Sequence, residues 1–184
     1  MGMDVYGLNP QLKSEEPTID WSLKPSDEES KAYFDAKDIF DKENVGYYFR
    51  NNVWWWRPLW DYVYQLNDDI LTEKDHERGH FNDGHEITEE QCEVICQRLT
   101  EALDNGEAEE YKNSFDAYVN NLPLVKCDTC DGSGQRDDEF VQGDCNGCSG
   151  KGERKDYAAS YPFDLDNVRN FRNFVRECGG FQIC

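Results

Sequence analysis

The sequence lacks any apolar run near the roughly 18 residues that cross a membrane. Its opening, MGMDVYGLNP, has no basic stretch followed by an apolar run, so no secretory signal is expected and a cytoplasmic setting is. It has no GxSxG, no phosphate-binding Gly-rich loop and no dinucleotide fingerprint, so no common catalytic signature stands out. Bases are scarce: 19 Lys and Arg face 39 Asp and Glu, for a formal net charge of −20. A chain this negative repels phosphate. Direct binding to nucleic acid or to an anionic membrane is therefore not expected, although a small anion in a local basic pocket is compatible with the charge.

What is abundant argues for a folded chain. Five Trp, ten Tyr and ten Phe in 184 residues supply large side chains for a core. Disordered acidic chains are poor in aromatics. The length suits a single domain, residues 1–184. The expected class is α+β: a small sheet, three to four helices and an inserted Cys-rich knuckle.

MGMDVYG reads as a short strand, and FQIC at the other end as another. Residues 8–31, with Pro10, Pro17 and Pro25, read as an irregular insertion. Residues 31–42 suggest a short amphipathic helix. Residues 45–56 suggest extended chain with a turn at Asn51-Asn52, which would put Trp54 and Trp56 on one side and Trp55 on the other. From Pro58, a first-turn residue, Leu59, Tyr62, Val63 and Leu66 follow at helical spacing. Residues 67–86 are polar and at least partly a loop. The strongest helix covers 87–106, with Thr88 and Gln91 as a capping box and Cys92, Ile95, Cys96, Leu99 and Leu103 as its apolar stripe. Further helices are expected over 107–120 and 165–177, the last with Leu165, Val168, Phe171, Val175 and Cys178 in its stripe.

Residues 124–155 hold the one specific motif. Cys127-x-x-Cys130-x-Gly-x-Gly is followed by Cys145-x-x-Cys148-x-Gly-x-Gly. Each CxxC sets two thiolates on one tight turn. The glycines permit left-handed backbone and let amide N–H groups approach sulfur. Two such turns facing each other make a closed Cys₄ site, the arrangement of structural zinc. Two disulfides, a redox pair and an iron site are the alternatives; the absence of a secretory mark weighs against the first. The paired units resemble the Cys-rich region of DnaJ-type co-chaperones. The resemblance implies one Zn²⁺ held by Cys127, Cys130, Cys145 and Cys148. The chain has no His-Pro-Asp motif, so co-chaperone activity does not follow. Such a knuckle is either a folding staple or a protein-docking element. Cys92 and Cys96 read as small core residues, and Cys178 and Cys184 as reduced thiols.

The run YYFRNNVWWWRPLW packs Tyr47, Tyr48, Phe49, Trp54, Trp55, Trp56 and Trp60 together. Arg50, Asn51, Trp54, Trp56 and Arg57 could form a pocket that stacks a planar ligand and holds a phosphate or carboxylate. Core packing is the competing account of the same residues. With the start MGMDVYG, this run resembles uncharacterised small bacteriophage and mobile-element proteins. That resemblance implies an origin and no mechanism.

Charge is unevenly spread. Residues 45–66 hold Asp61 against Arg50 and Arg57, while residues 67–116 hold 16 acids and 4 bases, net −12. This block is either a solvated face or a surface built for a basic partner. Glu89, Glu90, Glu107, Glu109 and Glu110 would contribute to such a face. Arg169, Arg172 and Arg176 form a basic stripe on the last helix, expected to pair with the acidic block inside the fold. His76, His80 and His85 share one acidic loop, a possible metal site for a hydrolase, although Gly79 interrupts any helix between the first two.

The leading expectation is a non-enzymatic, acidic, zinc-containing factor that binds a basic host protein. An anti-defence or anti-CRISPR inhibitor with DNA-mimic character is one form of it. A nucleotide or small-ligand binder and a metal-dependent hydrolase are the alternatives.

Overall fold

Alternation in GMDVYG buries Met3 and Val5 on one face of β1 (Gly2–Gly7). The structure, a computed structural model, describes residues 2–184, so Met1 of the expected N-terminal strand lies outside it. Three more strands join β1 in one sheet: β2 (Tyr48–Asn52), β3 (His85–Ile87) and β8 (Phe181–Ile183). The order is β2-β1-β8-β3, antiparallel throughout. The first and last strands therefore lie side by side at the sheet's centre, with Val5 opposite Ile183.

The helices are α1 (Asp27–Glu43), α2 (Val53–Leu66), α3 (Glu73–Arg78), α4 (Glu89–Asp104), α5 (Glu107–Asn120) and α6 (Leu165–Glu177). Among the described residues, six helices exceed the expected three to four; the α+β class stands. Three begin on a reciprocal capping box: Ser26 with Glu29, Thr72 with Asp75, and Thr88 with Gln91. In α4 the buried positions are Cys92, Ile95, Leu99 and Ala102, so Ala102 rather than Leu103 closes the stripe. In α6, Val168, Phe171, Phe174 and Val175 are buried. The two helices pack against each other and α2 packs on both, which encloses the core with the sheet.

The extended reading of residues 53–56 is overturned. Asn52 is not a turn residue but the N-cap of α2. Its side-chain oxygen accepts from the Trp54 and Trp55 amides at 3.0 and 3.1 Å. Three tryptophans thus start a helix, and Pro58 falls in its second turn rather than its first. Helical spacing separates the indoles. Trp56 is fully buried, whereas Trp54 and Trp55 are 42% and 36% exposed.

The chain divides into two compact units: residues up to Glu110 with Asp164–Cys184, and Tyr111–Phe163. The second unit holds two ribbons, β4 (Leu124–Lys126) with β7 (Glu153–Lys155), and β5 (Gln135–Asp137) with β6 (Gln142–Asp144). In it, the Phe163 ring packs on Tyr111 and Phe115.

Candidate metal centres

The two ribbons of the second unit bring the CxxC turns together. Cys127, Cys130, Cys145 and Cys148 form a buried cluster. Their sulfurs all lie within 4.8 Å of one another, with Cys127–Cys145 at 4.0 Å and Cys130–Cys148 at 3.7 Å. Tetrahedral metal–sulfur bonds of about 2.3 Å place sulfurs about 3.8 Å apart. The residues present therefore fit a single metal ion with no open position.

The sequence repeat is also a structural repeat. Gly134 N–H donates to Cys130 Sγ at 3.3 Å, and Gly152 N–H donates to Cys148 Sγ at 3.2 Å. Cys127 N–H donates to the Gly152 carbonyl and Cys145 N–H to the Gly134 carbonyl, both at 2.8 Å. Gly134 and Gly152 have φ of 74° and 76°, and a Cβ on either would lie 2.4 Å from a carbonyl oxygen of the facing turn. Only glycine fits there.

Burial opposes ionisation of Cys130, but the Gly134 amide and hydrogen bonds from its cysteine neighbours outweigh it and hold this thiol below the usual range. Cys148 moves the other way, pushed up first by burial, despite its matching amide. Four thiolates at this spacing need a cation, which is the chemistry of a metal site.

A second group of donors lies in the first unit. Asp61 Oδ1 sits 2.8 Å from His76 Nε2 and 3.1 Å from His80 Nε2. The two imidazole nitrogens are 3.4 Å apart. Burial pushes the Asp61 carboxyl up, but hydrogen bonds from His80 and His76 prevail and leave it below its ordinary value. His85, expected alongside the other two histidines, is elsewhere: its Nε2 meets Asp75 Oδ1 at 2.8 Å. Asp61 was missed because it lies 15 residues before His76, in what reads as an aromatic helix. The remaining cysteines are free. Cys92 and Cys178 are buried in the first unit with sulfurs 3.8 Å apart.

The aromatic run does not form the expected platform. Trp56 stacks on Trp60, centroids 5.6 Å apart, inside the core. An open cavity of about 600 Å³ does lie at this edge of the sheet, lined by Gly2, Arg50, Asn51, Asn52 and Trp55. Of the five expected ligand residues, Arg50 and Asn51 border it; Trp54, Trp56 and Arg57 do not.

Glu89, Glu90, Glu107, Glu109 and Glu110 are all exposed. The basic stripe does not form ion pairs with the acidic block. Arg169 pairs with Asp166 at 2.6 Å and Arg176 with Glu177 at 3.0 Å, while Arg172 donates to Asn173 and Thr100. No helix is long and apolar enough to cross a membrane among the described residues. Comparison with protein-family models, curated proteins and solved structures finds no match.

Proposed function

We propose that the chain is a non-enzymatic, zinc-stabilised factor of phage or mobile-element origin whose acidic face occupies a basic site on a host protein. One observation carries the reading. Among the described residues, none of Glu89, Glu90, Glu107, Glu109 and Glu110 has an ion-pair partner, although the helix that offered one carries three arginines. Uncompensated charge of one sign destabilises a compact fold and steers encounter with the opposite sign. A site that normally holds nucleic acid is the natural target, so inhibition by DNA mimicry is the concrete form. Zinc at the Cys₄ cluster staples the second unit.

The test is affinity capture of host proteins at low and high salt, by the native chain and by a variant with all five glutamates changed to lysine. Basic proteins captured at low salt, released by high salt and lost in the variant are the expected result. The same captured set with both proteins would overturn it.

The cavity beside Arg50, Asn51 and Trp55 favours a second reading, a binder of a small anionic ligand with a planar group. A thermal-shift panel of nucleotides that moves the native chain and not Arg50→Ala supports it; no shift removes it.

A further inference from the structure

The first unit holds a donor set that the Cys₄ cluster does not account for. Asp61, His76 and His80 converge their Oδ1, Nε2 and Nε2 atoms on one point, with separations of 2.8, 3.1 and 3.4 Å. Metal bonds of about 2.0–2.1 Å at tetrahedral angles put neighbouring donors about 3.3 Å apart. The three atoms thus already mark one face of a coordination sphere to within a few tenths of an ångström.

The residues that hold them are tied to the core. Asp61 follows Trp60 on α2. Trp60 Nε1 donates to the His76 carbonyl at 3.1 Å, and Trp56 Nε1 donates to the Gly79 carbonyl at 2.7 Å. The stacked indole pair therefore pins the backbone of one histidine and of the residue just before the other. The His76 ring lies flat on Tyr64, centroids 4.3 Å apart and 18° from parallel, so a third α2 residue sets the ring plane. His80 Nδ1 is buried without a partner, which leaves Nε2 as the nitrogen through which that ring acts. With Asp61 on α2, His76 on α3 and His80 in the turn that follows α3, these bonds hold the donors in place before any ligand arrives.

Two imidazoles and one carboxylate suit a divalent first-row transition cation rather than calcium or magnesium, which favour oxygen alone. The three side chains remain 50%, 33% and 20% exposed, so the far side of the sphere faces solvent. We propose that Asp61, His76 and His80 form a second metal site of this kind. Its open side takes water or an external oxygen donor, as in sites with three protein ligands. It differs in kind from the closed Cys₄ cluster and does not depend on it.

The experiment is zinc counting on the purified full chain after gel filtration, for the native protein, His76→Gln, Asp61→Asn and Cys127→Ser. The native chain should hold two equivalents. His76→Gln and Asp61→Asn should each lose one and keep the zinc that Cys127→Ser removes. If the Cys₄ reading alone is wrong, Cys127→Ser leaves the count unchanged while His76→Gln still lowers it. Because a variant can unfold, the native chain is also titrated with Zn²⁺ and its imidazole nitrogen resonances followed. His76 and His80 should shift together while His85, held by Asp75, does not. A native count unaffected by His76→Gln and Asp61→Asn, with all three imidazoles unmoved by excess Zn²⁺, would overturn the site. The trio would then be a carboxylate accepting two N–H bonds.

Discussion

Gly79, the C-cap of α3, is where the histidine-bearing segment meets the indole pair, and Gly79→Ala measures what that contact is worth. The backbone there is right-handed at φ −62°, so alanine adds no dihedral strain. It adds a Cβ that would lie 2.0 Å from Trp60 Nε1 and 2.3 Å from its Cε2. Trp60 cannot retreat, because it is fully buried and its ring lies 7° from parallel with Trp56. The end of α3 must move instead. Overpacking of this sort costs about 1–3 kcal/mol. Displacement also breaks the Trp56 bond to the Gly79 carbonyl, and a buried N–H left unsatisfied costs about 1–3 kcal/mol more. The expected loss is about 2–6 kcal/mol. All five tryptophans lie in the first unit, so their fluorescence in a urea titration reads that unit alone. The midpoint should fall with the slope unchanged. A loss of less than about 1 kcal/mol, the scale of an ordinary surface change, would refute the reasoning.

Three further outcomes follow from the same structure. None of the residues in the four short strands of the second unit is buried, so the order of residues 124–155 depends on the cysteine cluster; structural zinc contributes about 10–16 kcal/mol in zinc-finger peptides. A strong chelator should abolish hydrogen-exchange protection over residues 124–155, and protection that survives metal removal would contradict this. Gly134→Ala puts a Cβ 2.4 Å from the Gly150 carbonyl oxygen and disturbs the amide on Cys130, so metal affinity by chelator competition should fall about 10–100-fold; an unchanged affinity would show that the amide has no part in holding sulfur. Arg98, through its hydrogen bond, holds Asp69 down to about 2. A lowered folded-state value means the contribution is complete above the ordinary carboxylate range and is lost as pH falls from about 4 to 2. Asp69→Asn should cost at neutral pH the same amount that the native chain loses across that window, a small one because the pair is exposed, and should flatten the stability curve there; equal slopes for both proteins would refute a contribution from Asp69.

The parts of the fold that were legible are those where one signal dominates. α4 runs from Glu89 to Asp104 behind the Thr88 cap that the sequence shows, and α6 spans Leu165–Glu177 as its apolar spacing implies. The Cys₄ cluster was legible because two copies of CxxCxGxG leave few other geometries. The misses have physical causes. Asn51-Asn52 looks like a turn because Asn favours both turns and helix caps, and only the two amides that Asn52 receives decide between them. The capping boxes at Ser26 and Thr72 are present in the sequence, but the helices behind them bury a single residue and none, so no apolar stripe marks them. β3 is three residues long, too short for any periodicity. Asp61 could be assigned only once α2 and α3 were known to lie together.

The aromatic run then takes on a different role from the one its composition implies. Seven aromatic residues beside two arginines read as a place for a planar ligand. In the fold, Trp56 and Trp60 face inward, and their N–H groups hold α3 and its C-cap, which carry His76 and lead into His80. The acidic block surrounds these residues in sequence, so its field concentrates cations there, and under the proposed function it draws basic proteins as well. The two roles separate by range. A field acts over about a Debye length and is screened by salt, whereas coordination acts over bond lengths and is not. Reversing Glu89, Glu90, Glu107, Glu109 and Glu110 should therefore abolish binding to a basic partner and leave the metal count untouched. His76→Gln should do the opposite. A chain in which both properties fell together under either change would have one surface doing both, with the metal part of the docking face.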